Sequence, residues 1–467
     1  MQYVSTRGQA PTLDFEDVLL AGLATDGGLY VPEAWPAWEP AAFEALQGKP
    51  YPEIAAAVMR PFLGSALPGD ALQQLLDAAY ATFRHTAIAP LVQLGPRHYV
   101  MELFHGPTLA FKDVAMQVLG RLYDHVLNER DQQVTLIGAT SGDTGGAAIE
   151  AIRGRERASI VILHPHNRTS EVQRRQMTTV DAPNVHNLAI DGTFDDCQAL
   201  VKAMFNDMDF RGRVNMSGVN SINWARCLPQ AVYYVAAALA LGGPDRSVAF
   251  SVPTGNFGDV FAGYAARHLG LPIPKLVVAS NINDILTRVL NSGDHALGTV
   301  HQTHSPSMDI QVSSNFERLL FDLYDRNAPA VVDLMQQLKD NQGFTLPPEV
   351  LDKASTVFEG QRVDEDQTLA TIGRVYQDTG GYLIDPHTAI GVAAAERVIP
   401  TLPPDVPMVT LATAHPAKFP DAVERAAGVR PPLPDHLSDL YARKERFDVL
   451  PNDLATVQTH IAHTVGR

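Results

Sequence analysis

Residues 252–259 have the types and the order of an anion-binding turn. The segment follows a predicted strand, precedes a predicted helix and reads Val252-Pro-Thr-Gly255-Asn256-Phe257-Gly258-Asp259. Its glycines let the backbone turn sharply, and free N–H groups at a helix N-terminus attract an anion without a lysine. Because neither a Walker loop nor G-x-G-x-x-G is present, a single phosphate monoester is the expected ligand. The alternative is a strand-to-helix connection without a ligand.

A second turn has small hydroxyl side chains in the same kind of place. It follows a buried strand, precedes a helix and reads Ala139-Thr140-Ser141-Gly142-Asp143-Thr144-Gly145-Gly146. Hydroxyl groups and exposed N–H groups here suit a substrate carboxylate. Residues 142–146 also look like a serine-protease signature with threonine in place of serine, but a strand-to-helix position disfavours a hydrolase. A capped turn without a ligand is the other alternative.

The third segment contains a lysine with unusual neighbours. It reads Glu102-Leu-Phe-His105-Gly106-Pro107-Thr108-Leu-Ala-Phe111-Lys112-Asp113. Apolar residues then recur with helical spacing, at Phe111, Val114, Ala115, Val118, Leu122 and Val126. Lys112 therefore lies near a helix start beside Phe111, where the helix dipole and desolvation both disfavour its ammonium form. These conditions favour a role for Lys112 as an amine nucleophile. The alternative is that Lys112 is a solvated surface group, as a lysine at a helix start commonly is.

The three segments together supply the parts of a pyridoxal phosphate (PLP) site. Such a site needs a lysine for the Schiff base, an anchor for the cofactor phosphate and a pocket for the substrate carboxylate. We therefore expect PLP as the cofactor, with Lys112 as the reactive amine.

Alternating strands and helices must position these segments. Short β-branched runs predict strands, and periodic runs predict helices. The predicted strands are 134–139, 159–163, 185–190, 247–252, 275–279 and 406–412, and the predicted helices are 145–153, 170–180, 195–205 and 259–269. This alternation is typical of βαβ units on parallel sheets, which bind ligands beyond the carboxyl ends of their strands.

The same pattern predicts two doubly wound α/β lobes with mainly parallel sheets and an N-terminal domain. We expect the N-terminal domain at 1–95, a lobe with the lysine and the substrate turn at 96–245, and a lobe with the phosphate turn at 246–467. A helical insertion is predicted near 320–380.

Composition limits the partners. The 467 residues have a formal net charge of -16, which repels nucleic acids and anionic membranes. The two cysteines, Cys197 and Cys227, provide neither a disulfide framework nor zinc-ligand spacing, and we expect no metal site. No run is long enough to span a membrane, and the predicted location is the cytoplasm.

Motifs along nearly the whole chain resemble those of the threonine synthases, which share the tryptophan synthase β-like PLP fold type II. The lysine segment 104–115 and the turn 139–145 carry part of this resemblance. The other matching motifs are Ser5-Thr-Arg-Gly8, Asp26-Gly-Gly-Leu-Tyr-Val-Pro32, His164-Pro-His166, Glu171-Val-Gln-Arg-Arg-Gln-Met177, Gly192-Thr-Phe-Asp-Asp196, Asn220-Ser-Ile-Asn-Trp-Ala-Arg226, Ser305-Pro-Ser-Met-Asp-Ile310, Asp385-Pro-His-Thr388 and Ala412-Thr-Ala-His-Pro416.

The resemblance implies a role for each part of the site. Lys112 would form the Schiff base, and Thr413 would face the pyridine nitrogen. The residues implied to hold the cofactor phosphate are Gly255, Asn256, Phe257, Gly258 and Asp259. Those implied on the substrate side are Ser141, Asp143 and Thr144. Cationic candidates for the substrate phosphate are Arg168, Arg174, Arg175 and Lys418, and His105 and His415 lie in neighbouring motifs.

The implied reaction converts O-phospho-L-homoserine and water to L-threonine and phosphate. A lyase that releases 2-oxobutyrate and a non-catalytic binding protein are the alternatives. Ile282 departs from the acidic residue expected in relatives, which leaves the role of the 281–284 loop open. Both a monomer and a homodimer are compatible with the sequence.

Overall fold

The computed structural model describes residues 1–140, 142–219 and 221–466. The N-terminal region consists of a two-stranded antiparallel ribbon and four helices. Their bounds are β1 Tyr3–Ser5, α1 Phe15–Ala21, β2 Tyr30–Pro32, α2 Pro40–Glu44, α3 Tyr51–Leu63 and α4 Ala71–Tyr80. Helices α3 and α4 each bury one apolar face, as their periodic spacing favours.

Beyond the β3–β4 pair, strands and helices then follow in a mostly alternating order up to the long buried helix α10. Their bounds are β3 Leu91–Gly95, β4 His98–Glu102, α5 Lys112–Glu129, β5 Val134–Ala139, α6 Asp143–Ile152, β6 Ala158–Pro165, α7 Glu171–Thr178, β7 Val185–Asp191, α8 Phe194–Asn206, α9 Met208–Val214, β8 Met216–Gly218 and α10 Trp224–Ala240. Helix α10 is apolar on nearly all sides, which is the pattern of a helix inside the core.

The remaining elements complete both lobes. Their bounds are β9 Ala249–Pro253, α11 Gly258–His268, β10 Leu276–Ser280, α12 Ile285–Ser292, β11 Asp294–Ala296, α13 Phe316–Leu323, α14 Ala328–Asn341, β12 Gly343–Thr345, α15 Pro348–Ser355, β13 Phe358–Arg362, α16 Glu365–Asp378, α17 Pro386–Val398, β14 Met408–Ala412, α18 Pro420–Ala427, β15 Asp448–Pro451 and α19 Leu454–Thr464. Within the described ranges, no helix is long and apolar enough to cross a membrane.

Two sheets organise the lobes. The larger has the strand order β13-β10-β9-β14-β4-β3 and is parallel except for the β3–β4 pair. The smaller has the order β15-β7-β6-β5-β8 and is parallel throughout. Two mainly parallel sheets flanked by helices are the predicted fold class. The carboxyl ends of β4, β9 and β14 share one edge of the larger sheet, where the predicted lysine and phosphate segments begin.

The chain crosses between the sheets more than once. Strands β3 and β4 belong to the larger sheet, which otherwise uses residues after 248, and the C-terminal strand β15 joins the smaller sheet beside β7. The predicted domain boundaries at residues 95 and 245 assign each domain a single continuous segment of the chain. These boundaries stay a prediction.

One aromatic residue links the N-terminal region to the lobes. Trp224, at the start of α10, packs against the rings of Tyr3, Phe62 and Phe261 and donates a hydrogen bond to the Tyr3 hydroxyl at 3.1 Å. The largest core cluster is therefore continuous from the N-terminal helices to α5, α10 and α11.

Candidate active site

Residues 255–259, called the phosphate cup below, connect β9 to α11. Phe257 has a left-handed φ of 64°, and Gly258 begins the helix. A Cβ at Gly255 would collide with the carbonyl oxygen of Ser307. In the described part of the chain, the N–H groups of Asn256, Phe257 and Gly258 have no protein acceptor. Successive free N–H groups around a left-handed residue form an anion-binding nest.

Asp259 gives the cup a buried carboxyl group. One of its oxygens accepts a hydrogen bond from the N–H of Val260 at 2.8 Å. Burial raises the pKa of Asp259 to about 7, although hydrogen bonds and the charge of Lys112 act in the opposite direction. Near neutral pH this carboxyl group can therefore be uncharged, so it need not repel a phosphate.

Lys112 is the first residue of α5. Its Nζ lies 3.5 Å from Oδ2 of Asp143 and 5.5 Å from the ring centre of Phe111. Burial lowers the pKa of Lys112; the charges of Arg226 and Lys418 lower it further, while Asp143 raises it. The result is a buried amine with a depressed pKa, as a nucleophile or proton carrier requires.

Asp143 begins α6 and lies between two lysines. Its Oδ1 accepts hydrogen bonds at 2.9 Å from the Lys418 ammonium and from the Gln173 amide. Burial acts to raise the pKa of Asp143, but the charges of Lys418 and Lys112 outweigh it and hold the pKa below its usual value. Asp143 is therefore a carboxylate that bridges the two lysines.

Lys418 uses all three N–H groups within the protein. Besides Asp143, its ammonium donates at 2.7 Å to the carbonyl of Thr108 and at 2.7 Å to the side chain of Gln176. Its side chain is fully buried. This arrangement leaves no N–H group for a substrate phosphate.

The predicted arginines of α7 and of the loop before it make their described contacts away from Lys112. Arg175 pairs with Glu171 at 2.9 Å and has Glu445 at 3.7 Å, while Arg174 forms an ion pair with Glu445. Arg168 is exposed. The glutamines of α7 face the site instead, since Gln173 and Gln176 contact Asp143 and Lys418.

The turn between β5 and α6 is held by a threonine. Thr140 Oγ1 accepts from the N–H groups of Gly142 and Gly145 at 3.0 and 3.2 Å. Thr144 is half-buried, and its hydroxyl has no hydrogen-bond partner among the residues described. Ser141 lies outside the described residues.

Thr413 and His415 follow β14. The carbonyl of Thr413 accepts from the N–H of Phe111 at 2.8 Å, which places Thr413 against the residue before Lys112. His415 accepts from Ala417 N–H, and burial lowers the pKa of His415 to about 4. His105 is bound to Glu102 at 2.7 Å. His415 also contacts the lysine segment, since its N–H donates to the carbonyl of Leu109 at 3.0 Å and its ring packs on Phe104. Of the two residues after β14, Thr413 is hydrogen-bonded nearer to Lys112, at Phe111.

Arg226 is a site residue to which sequence reasoning gave no role. It lies buried in the first turn of α10, and its Nη1 has no hydrogen-bond partner in the described ranges. Burial lowers the pKa of Arg226 to about 10, and its charge acts on Lys112. A buried guanidinium without an acceptor is costly, so the group is ready for an anion. The available signal was a cation at an apolar helix's N-terminus, where the dipole disfavours it.

These residues fit a ligand with a phosphate and a carbonyl group that reacts with amines. The cup supplies unpaired N–H groups for the phosphate, and Lys112 supplies a buried amine. PLP has both groups, so the predicted cofactor is compatible with the donors present.

Three family models match successive parts of the chain. The model "Threonine synthase N terminus" matches residues 2–80, "Pyridoxal-phosphate dependent enzyme" matches 83–337, and "Threonine synthase, C-terminal" matches 388–461. The cup, Lys112 and Arg226 all lie within the second match.

Individual relatives agree along the full length. The threonine synthase of Pseudomonas aeruginosa is 55% identical, with 100% of this chain and 99% of the relative covered. The solved structure of PLP-bound threonine synthase from Brucella melitensis has a TM-score of 0.97 and 55% identity, with both chains fully covered. Yeast threonine synthase has a TM-score of 0.95 and 40% identity, covering 100% of this chain and 99% of that one. The predicted family and fold class are thus confirmed, and the chain belongs to the threonine synthase family of pyridoxal-phosphate-dependent enzymes.

Proposed function

We propose that the chain converts O-phospho-L-homoserine and water into L-threonine and inorganic phosphate, with PLP as cofactor. The proposal rests on the surroundings of one buried amine, that of Lys112. Two groups that can bind an anion, the phosphate cup and Arg226, lie close enough to Lys112 for their charges to interact. The charge of Lys112 acts on Asp259 of the cup, and the charge of Arg226 acts on Lys112. A cofactor phosphate and a substrate phosphate need one such receptor each.

Lys112 would hold the cofactor through its amine, and the N–H groups of the cup would bind the phosphate. Thr413 would lie beside the pyridine nitrogen. Its carbonyl accepts a hydrogen bond from the N–H of Phe111, which keeps Thr413 close to Lys112. Bound PLP supplies an electron sink that stabilises negative charge at the substrate α-carbon.

Arg226 is the proposed partner of the substrate phosphate, because Nη1 of its buried guanidinium has no hydrogen-bond partner among the residues that the structure describes. Thr144 and Ser141 are proposed to bind the substrate carboxylate, since the hydroxyl of Thr144 has no hydrogen-bond partner within the described ranges. Asp143 is proposed to orient Lys112. Lys418 and Arg175 are left out, because their donors are engaged within the protein.

Lys112 is the proposed proton carrier. Because burial lowers the pKa of Lys112, its amine releases a proton more readily than an exposed lysine does, and it can move protons among the α, β and γ carbons. The bond between the γ-carbon and its phosphate oxygen breaks, the phosphate leaves toward Arg226, and water adds to the β-carbon. The burial of Lys112 and Asp143 limits access of bulk water to this step.

We also propose a cytoplasmic location. Cys197 and Cys227 are both free thiols in the structure, as expected in a reducing compartment. The net charge of -16 supports a small-molecule substrate over a nucleic acid.

Product analysis tests the proposed reaction. Purified protein with PLP and O-phospho-L-homoserine should release L-threonine and phosphate in equal amounts, and Lys112→Ala should release neither. Formation of 2-oxobutyrate in place of threonine would contradict the proposal. Threonine formation by Lys112→Ala would remove the lysine from its proposed role.

A further inference from the structure

Residues 313–318, called the clamp segment below, lie directly behind the phosphate cup. Ser313 Oγ donates a hydrogen bond to the carbonyl of Gly255 at 2.8 Å. Asn315 donates twice to the carbonyl of Asn256, from its backbone N at 3.1 Å and from Nδ2 at 2.9 Å. Two successive carbonyl groups of the cup are therefore held on the clamp side.

These contacts fix the direction of the cup's N–H groups. In a trans peptide the C=O and the following N–H are coplanar and point in opposite directions. When the clamp segment holds the carbonyls of Gly255 and Asn256, the N–H groups of Asn256 and Phe257 point away from it. These are two of the N–H groups without a protein acceptor. The anion receptor is thus oriented from behind, by residues that do not themselves line it.

Arg318 fixes Asn315 in turn. Its guanidinium is fully buried; Nη1 donates to Oδ1 of Asn315, and Nε donates to the carbonyl of Tyr30 at 3.0 Å. Because Oδ1 accepts from Arg318, the amide can present only Nδ2 to the cup. Arg318 has no carboxylate partner in the part of the chain that the structure describes. Its other contacts are with the Cys227 thiol, the Ile222 carbonyl and the ring of Trp224.

The same pair reaches the segment that carries Arg226. Asn315 Nδ2 also donates to the carbonyl of Ser221 at 3.1 Å, and Arg318 Nη2 donates to the carbonyl of Ile222. The two anion receptors are therefore connected through one asparagine and one arginine.

We propose that Asn315, held in place by Arg318, is a positioning residue that orients the cup for the cofactor phosphate. The inference rests on the proposed role of residues 255–259 as the phosphate site. It adds a layer of residues that determines affinity for the phosphate group without touching it.

The decisive ligands are PLP and pyridoxal, which differ by the phosphate. The substitution Asn315→Asp keeps the side-chain size and the acceptor for Arg318, but it removes the Nδ2 donor. We expect the preference of the apoprotein for PLP over pyridoxal to fall about five- to tenfold, as lost hydrogen bonds predict, while pyridoxal affinity stays within about twofold. Absorbance or fluorescence titration measures both affinities.

Two further variants complete the experiment. Ser313→Ala frees the Gly255 carbonyl without changing charge, and it should reduce the preference about three- to fivefold. If Asn315→Asp does not fold, the Ser313→Ala variant by itself is sufficient for the test. Asn184→Asp is the matched control, since Asn184 Nδ2 donates to three carbonyls at another place in the chain, those of Ile152, Arg155 and Ala158. The Asn184→Asp variant should prefer PLP over pyridoxal to the same extent as the wild type.

A general loss of stability would lower the affinity for PLP and the affinity for pyridoxal together. Loss of a positioning residue would lower only the affinity for PLP. The inference is overturned if the wild type prefers PLP and both clamp variants keep that preference. If the wild type binds the two ligands equally, the phosphate assignment of the cup fails first, and the inference falls with it.

Discussion

Lys112 and Asp143 face each other with 3.5 Å between Nζ and Oδ2, and each is the first residue of its helix. A helix N-terminus disfavours the lysine ammonium and favours the carboxylate. The helix end at Lys112 thus acts in the same direction as burial, which lowers the pKa of Lys112. The helix end at Asp143 acts against burial and together with the charges of Lys418 and Lys112, which hold the pKa of Asp143 below its usual value. The pair keeps a reactive amine next to a fixed negative charge.

Removal of the Asp143 charge should destabilise the fold. Asp143→Asn leaves two buried lysine ammonium groups without their shared carboxylate, so the free energy of unfolding should fall by about 3–5 kcal/mol. Glu396→Gln is the control, because the Arg374–Glu396 pair is exposed and should be worth less than about 1 kcal/mol. Urea unfolding of the apoproteins measures both. Equal losses in the two variants would argue against a bridging role for Asp143.

Two arginine variants separate the candidates for the substrate phosphate. Arg226→Gln removes the buried guanidinium, and KM for O-phospho-L-homoserine should rise about 10- to 100-fold with PLP affinity unchanged. Arg175→Gln affects a guanidinium already paired with Glu171, and KM should stay within about twofold. Steady-state kinetics decides between them, and the reverse order of effects would exchange the two roles.

The buried carboxyl group of Asp259 predicts pH-dependent anion binding. With the pKa of Asp259 raised to about 7, its neutral fraction rises from about one tenth at about pH 8 to about nine tenths at about pH 6. Because only the ionised form repels an anion, sulfate should bind the apoprotein up to about tenfold more tightly at the lower pH. Sulfate does not titrate in this range. Asp259→Asn should remove the dependence measured by calorimetry, and an unchanged slope would exclude Asp259 as its source.

The strands and helices that carry the site residues were predictable because the sequence patterns that specify them are local. Apolar runs bounded by turn residues gave β5 at its observed bounds, and the observed start of α11 lies one residue before its prediction. The exchange of strands between the lobes was not predictable in this way. Nothing local shows that β4 pairs with β14, about 300 residues later, because that pairing is decided by packing of the whole sheet.

The site was predictable to the same extent. Lys112 and the cup stand in turns with a recognisable local pattern, whereas the partners of Lys418 lie far away in sequence. Its bonds to Thr108 and Gln176 span 310 and 242 residues, so a lysine that looked available to substrate is internally satisfied. Asn315 and Arg318 resemble ordinary residues at the start of an amphipathic helix, and only the fold brings them behind the cup.

The fate of solvent oxygen distinguishes addition of water to carbon from hydrolysis of the phosphate ester. The enzyme should be incubated with PLP and O-phospho-L-homoserine in ¹⁸O-labelled water, and both products analysed by mass spectrometry. Cleavage of the carbon–oxygen bond followed by addition of water predicts one labelled oxygen in the hydroxyl group of threonine and none in the released phosphate. Label in the phosphate, with homoserine as the organic product, would instead show phosphoester hydrolysis and contradict the account.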